Sequence, residues 1–205
     1  METCRTGAPQ GRGGRHQHVI QPAGERLIGL IAADLPDHGV VRAPDGRVTF
    51  VPETGGGPVL VVGARVKKRF LGRTEITQFQ TFTVARRWEP ARLRVGQTGR
   101  LQRRGARVEV VEGSDEAASL AAALTSDAEF AVAAMALDFT RFDLEFDGER
   151  CATTVELIGA SFVSIALPPI RSYVRLHPDQ RVALIGCLAA LQRVVGEGVD
   201  RSGQL

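Results

Sequence analysis

The sequence predicts an α+β domain: a single mostly antiparallel sheet of seven to nine strands with helices packed on one face. Three observations carry that prediction. Runs of period-2 alternation are joined by Asp45-Gly46 and Asp147-Gly148, residue pairs that favour tight hairpin turns. The strand-like runs follow one another in blocks instead of alternating with helices, as hairpin-built sheets require. Helical periodicity is confined to the segments that flank those blocks.

The order is helix, four or five strands, two short helices, three strands, long helix. In "GERLIGLIAADLPDHG", Leu27, Ile28, Leu30, Ile31 and Leu35 recur at helical spacing, and Pro36 and Gly39 end the run. "VVRAPDGRVTFV" reads as a hairpin. Longer strands follow in "PVLVVGARVKKRF" and "TEITQFQTFTVARR". In the second, Ile76, Phe82 and Val84 share one face, and Thr77, Thr81 and Thr83 mark the other. "ARLRVGQTGRLQRRGARVEVV" supplies one or two more strands. Ser114 caps an Ala-rich helix striped by Leu120 and Leu124. Ser126 and Asp127 cap a second, which carries Phe130, Val132, Met135 and Leu137.

The hairpin at 138–158 directs Phe142, Leu144, Phe146, Cys151, Thr153, Val155 and Leu157 inward, and Arg141, Asp143 and Glu145 outward to solvent. "SFVSIAL" is a third strand with Val163, Ile165 and Leu167 inward. Pro168 and Pro169 then break the sheet. In "IRSYVRL", Ile170, Val174 and Leu176 point one way and Arg171, Tyr173 and Arg175 the other. His177 and Pro178 open the last helix, with Gln180 at the capping-box position. Its buried stripe is Val182, Leu184, Ile185, Leu188, Leu191, Val194 and Val195, and Gly196 and Gly198 stop it. The domain is therefore expected over residues 23–196. Residues 1–22 have too little apolar surface to order and are read as a disordered basic arm, with a flexible tail at 197–205.

The net charge of +3 hides an asymmetry. Residues 1–64 balance, residues 65–107 carry thirteen basic and two acidic side chains, and residues 108–205 carry seven basic and fifteen acidic. Either the two parts neutralise one another across the sheet, or the basic part meets an acidic partner; the first is the expectation. Nucleic acid is disfavoured, because aromatics are only 5% and no helix-turn-helix, zinc-finger or RNP pattern is present. The triple glycine at Gly55 lacks the Lys-Ser/Thr ending of a phosphate loop. Ser161, in "GASFV", lacks the second glycine of a nucleophile elbow. Cys4, Cys151 and Cys187 are dispersed, which fits a reducing compartment. No apolar run reaches the ~20 residues of a membrane span, and no signal-like stretch opens the chain. A cytoplasmic location is expected, with no cofactor and no metal; the His16-x-His18 pair lacks further ligands.

"LDF" at 137–139, "GAS" at 159–161, "PPIRSY" at 168–173 and "LHPDQ" at 176–180 carry a resemblance. The segment 137–191 resembles a bacterial family of uncharacterised proteins about 180 residues long. The resemblance implies a bacterial source and one compact domain, and transfers no functional residues. The leading functional expectation is a non-catalytic binding or adaptor domain for an acidic partner or small ligand. The alternative is a small enzyme with an unrecognised site. The candidate anion- or partner-binding residues are Arg171, Tyr173 and Arg175. If they share a surface with Asp143 and Glu145, they form a local ion network, the favoured outcome. If they line a concavity without carboxylates, their guanidinium forks suit a phosphate or carboxylate.

Overall fold

The computed structural model describes residues 20–85, 88–98 and 105–201. The chain runs α1 (Glu25–Asp34), β1 (His38–Arg42), β2 (Val48–Pro52), β3 (Leu60–Arg69), β4 (Gly72–Val84), β5 (Ala91–Thr98), β6 (Gly105–Glu112), α2 (Asp115–Ser126), α3 (Ala128–Ala136), β7 (Phe139–Phe146), β8 (Arg150–Ile165), β9 (Ile170–Val174) and α4 (Pro178–Arg201). The strands form one nine-stranded sheet in the order β1-β2-β3-β4-β8-β7-β5-β6, with β9 paired to β8. All pairings are antiparallel. The fold is α+β, as expected.

Register sorts the two faces. Val48, Val62, Phe79, Val155 and Phe142 stand opposite one another across five strands. All five are buried, and all four helices pack into the same apolar core. The parallel row on the other face is polar: Gln80, Thr154, Asp143, Arg94 and Glu109. On β4 the threonine side is the core side. Thr77, Phe79 and Thr81 are buried, whereas Phe82 and Val84 are exposed. The reason is Phe79, whose bulk takes the inner position and carries its threonine neighbours inward with it.

The expected break between two C-terminal strands is absent. β8 continues as one strand, pairing with β4 along its length, with β7 on its first half and with β9 on its second. Ala160, with φ +62°, provides the bend between the halves. That left-handed geometry is costly for a residue with a Cβ. Local bonds hold it. The Thr77 hydroxyl donates to the Ala160 carbonyl, and Ser161 Oγ donates to the Leu157 carbonyl at 2.8 Å. Past the bend the inward readings fail, since Leu167 is exposed and Val163 and Ile165 are only partly covered.

The helices follow their capping chemistry in part. Asp127 accepts from Phe130 N at 2.8 Å and starts α3. Ser114 caps α2 by position, without a side-chain bond. Gln180 does not close a capping box; its side chain bonds Asp138 N and the Ala136 carbonyl, tying α4 to the end of α3. On α4, Leu184, Leu188, Leu191 and Val195 are buried as expected, but Val182 is exposed and Ala183, Cys187 and Ala190 complete the stripe. The helix runs through Gly196 and Gly198 to Arg201; a glycine weakens a helix by about 1 kcal/mol without ending it. Residues 20–22, placed in the arm by composition, are seated on β3. Ile20 is buried, Pro22 bridges Gly63, and Ala64 N donates to Gln21 O at 2.9 Å. A Cβ at Gly63 would lie 2.5 Å from that carbonyl, so glycine is required there. Cys4, His16 and His18 lie outside the described residues.

Candidate functional site

The Arg171–Tyr173–Arg175 row does not act as one unit. Its carboxylate partner is neither Asp143 nor Glu145 but Asp34, the last residue of α1, which is almost fully buried. Asp34 Oδ2 accepts from the Tyr173 hydroxyl and from Leu176 N, each at 2.8 Å. Its Oδ1 accepts from Arg175 Nε at 3.1 Å and Nη2 at 2.9 Å. Burial, and then the bond to Asp34, hold the Tyr173 hydroxyl well above its ordinary pKa. The alternation on β9 is therefore reversed from the sequence reading: Tyr173 packs on the core, and Ile170 and Val174 are exposed. Arg26 reinforces the joint from α1, lying 5.0 Å over the Phe162 ring. Tyr173 and Arg175 thus clamp α1 to the sheet, and Arg171 is left over.

Asp143 and Glu145 also sit differently from the expectation of a solvated face. Asp143 points away from the helices yet is 1% exposed. It is covered by Arg94 (Nε at 3.2 Å) and Arg141 (Nε at 2.6 Å). Glu156, 0% exposed, accepts from Arg65, from Gln78 Nε2 at 3.0 Å and from Thr140 Oγ1 at 3.2 Å. Long arginine stems lie over the strands and exclude water while their heads meet the carboxylates. Across this face the basic strands do neutralise the acidic ones, through Arg65–Glu156 and Arg94–Asp143.

The neutralisation stops at the opposite end of the sheet. Register places Lys68 opposite Arg73, Arg73 opposite Ser164, and Ser164 opposite Arg171, a transverse row over β3, β4, β8 and β9. These four residues, with Gly72, Ile165, Ala166 and Pro169, line an open cleft of about 780 Å³. No acidic residue occurs between Glu53 and Glu75 or between Glu156 and Asp179, the two segments that meet here. Glu75 pairs with Arg73. Among the described residues, neither Lys68 nor Arg171 has a carboxylate within ion-pair distance. Lys67, the next residue along β3, points to the opposite face of the sheet. Sequence reasoning found Arg171 but missed Lys68, Arg73 and Ser164 as its neighbours. Their proximity is a fact of register across strands far apart in the chain.

Residues 33–195 match the family described as a protein of unknown function, DUF3156. The chain belongs to that family. The matched span of this DUF3156 protein takes in all nine strands, Asp34 and the whole cationic row. No curated protein and no solved structure matches it. Among the described residues of the DUF3156 chain, no single helix is long and apolar enough to cross a membrane. Burial pushes the Cys151 thiol up to about 12 and raises that of Cys187 as well.

Proposed function

We propose that the protein is a non-catalytic docking module that holds an anionic partner against the cationic end of its sheet. The row Lys68–Arg73–Ser164–Arg171 supports this reading most directly. Like charges placed directly across strands destabilise a sheet, and elsewhere in this sheet each buried carboxylate is met by arginine. Two cations without a carboxylate beside an open cleft leave the neutralising charge to a partner. Guanidinium groups and a hydroxyl suit phosphate or carboxylate oxygens. Catalysis has less to build on, because the described thiols are buried and Ser161 is committed to the Leu157 carbonyl.

The test is calorimetric titration of the purified protein with inorganic polyphosphate at several salt concentrations. Binding should weaken steeply with salt, as charge-driven association does. Lys68→Glu with Arg171→Glu should abolish it. Arg42→Glu with Arg47→Glu, charge reversals on the β1–β2 hairpin, should leave it intact. Equal loss in both double variants would refute a defined site.

A further inference from the structure

We infer that the anionic partner is the surface of a lipid bilayer, entered by the two turns at the cationic end of the sheet. This rests on the docking reading and deepens it. The β3–β4 turn carries Phe70 and Leu71; the β8–β9 turn carries Leu167, Pro168 and Pro169, with Ile170 just after. The turns are held side by side. Ala166 N donates to Leu71 O at 2.8 Å, and Gly72 stands opposite Ile165, which stands opposite Ile170. Phe70 is fully exposed and Leu167 is 74% exposed; Leu71, Ile170 and Val66 are exposed around them. A cluster of large apolar side chains at one protruding end marks an interaction surface.

The cations stand directly behind that apolar tip. Lys68 and Arg73 precede and follow the β3–β4 turn by two residues, about 7 Å along a strand. Arg171 lies at the same depth in that row, and Lys67 is one residue deeper on the opposite face of β3. An amphipathic element seats its apolar part about 5–10 Å into the boundary of headgroups and acyl chains. With Phe70, Leu71 and Leu167 at that depth, Lys67, Lys68 and Arg171 reach the phosphate layer, and Arg73 does so with Glu75 beside it. Each such cation strengthens partitioning to an anionic surface by about fivefold. The carbonyl of Leu71 and the amide of Ala166 already satisfy one another, as backbone leaving water requires. An acidic protein would account for the cations. It would not account for apolar groups at the outermost end with charge behind them, because protein interfaces place their apolar part centrally and their polar part at the rim.

The experiment is co-sedimentation of the full chain with vesicles of phosphatidylcholine alone and of phosphatidylcholine mixed with phosphatidylglycerol. The protein should bind the mixed vesicles at least about tenfold more tightly, and lose that preference in high salt. Phe70→Ser with Leu167→Ser, both on exposed turns, should lose about tenfold on mixed vesicles while polyphosphate binding persists. Lys68→Glu with Arg171→Glu should lose both. Phe70→Trp should shift its emission to the blue on mixed vesicles. Failure of the mixed vesicles to bind, or full binding by the apolar double variant, overturns the bilayer assignment. If polyphosphate still binds in that case, the docking reading stands and a soluble acidic macromolecule is the partner. Vesicle binding that ignores both salt and the charge reversals overturns the docking reading itself.

Discussion

Replacing Asp34 with alanine should be among the most damaging single changes to this fold. Four donors converge on its carboxylate: the Tyr173 hydroxyl, Leu176 N, and Nε and Nη2 of Arg175. Arg175 is 75% exposed along its side chain and recovers water when the carboxylate goes. Leu176 is buried, so its amide is left without a partner, and the part-buried Tyr173 hydroxyl loses its acceptor. Each buried orphan costs about 1–3 kcal/mol. Removing a negative charge from the C-terminal end of α1 returns only about 0.3–1 kcal/mol. The expected loss is about 2–5 kcal/mol, set by the two orphaned groups less that return, because the exposed Arg175 leaves no buried charge unpaired. Asparagine should rescue little of it. All four partners are donors, and an amide replaces one acceptor oxygen with another donor. Urea unfolding measures the loss as a lower midpoint at constant slope. Tyr173 is the only tyrosine in the chain, so tyrosinate absorbance reports on this site alone. Its folded pKa is raised above the unfolded value near 10. The stability it contributes is therefore complete below that value and is lost as pH rises through the folded pKa. Asp34→Ala within about 1 kcal/mol of the parent, or native Tyr173 ionising at the ordinary value, would refute the clamp.

Leu188 lies fully buried in the middle of α4, so Leu188→Ala should cost about 2–5 kcal/mol in the same urea experiment, and a neutral variant would contradict the packing. Asp127→Ala removes the cap on Phe130 N and the 2.8 Å pair with Arg193, at about 0.5–2 kcal/mol. The Phe130 amide, and then Arg193, hold the Asp127 pKa below its ordinary value. The contribution is present above that ordinary value and fades as pH falls through the lowered one, so the gap to the alanine variant should close in acid; a gap that stays constant would exclude this cause. In a Cys4→Ser background, Cys151 and Cys187 should react with a thiol reagent only after unfolding, since both are buried and their thiols are raised in pKa; rapid native labelling would show that the core opens.

What the sequence revealed was local. Asp45-Gly46 and Asp147-Gly148 fixed two hairpins because each turn is encoded in adjacent residues. The α4 stripe was legible because helical periodicity repeats within one element. Facing was less secure where the pattern was short. On β9 the apolar letters were Ile170 and Val174, yet the inward residue is Tyr173; Leu176, just past the strand, is buried as read. A buried acceptor, Asp34, outweighed hydrophobicity there, and nothing near residue 173 in the sequence announces Asp34. The bend at Ala160 was hidden because glycine, at position 159, stands beside the left-handed residue and not at it. Ser164, Lys68 and Arg73 became neighbours of Arg171 only through the pairing of four strands. Such a row is invisible until register is known, because side chains alternate and a one-residue slip reverses their faces.

The same register argument separates stability from function at position 68. On the polar face the chain places Asp143 opposite Arg94, and that pair is closed. At the cationic end it places Lys68 opposite Arg73, although a carboxylate there would serve the sheet better. Like charges directly across strands cost about 0.2–1 kcal/mol, and an exposed opposite pair contributes about 0–1 kcal/mol. Lys68→Glu should therefore leave the fold unchanged or strengthen it by up to about 1 kcal/mol, while it weakens polyphosphate and vesicle binding. Both directions are needed, and both come from one purified variant by urea unfolding and by titration. A variant that is less stable by more than about 1 kcal/mol would mean that Lys68 packs for the fold. A variant that is stable and still binds fully would remove Lys68 from the docking row. Only a gain or no change in stability together with lost binding fits a residue held at a cost to the sheet for the sake of a partner.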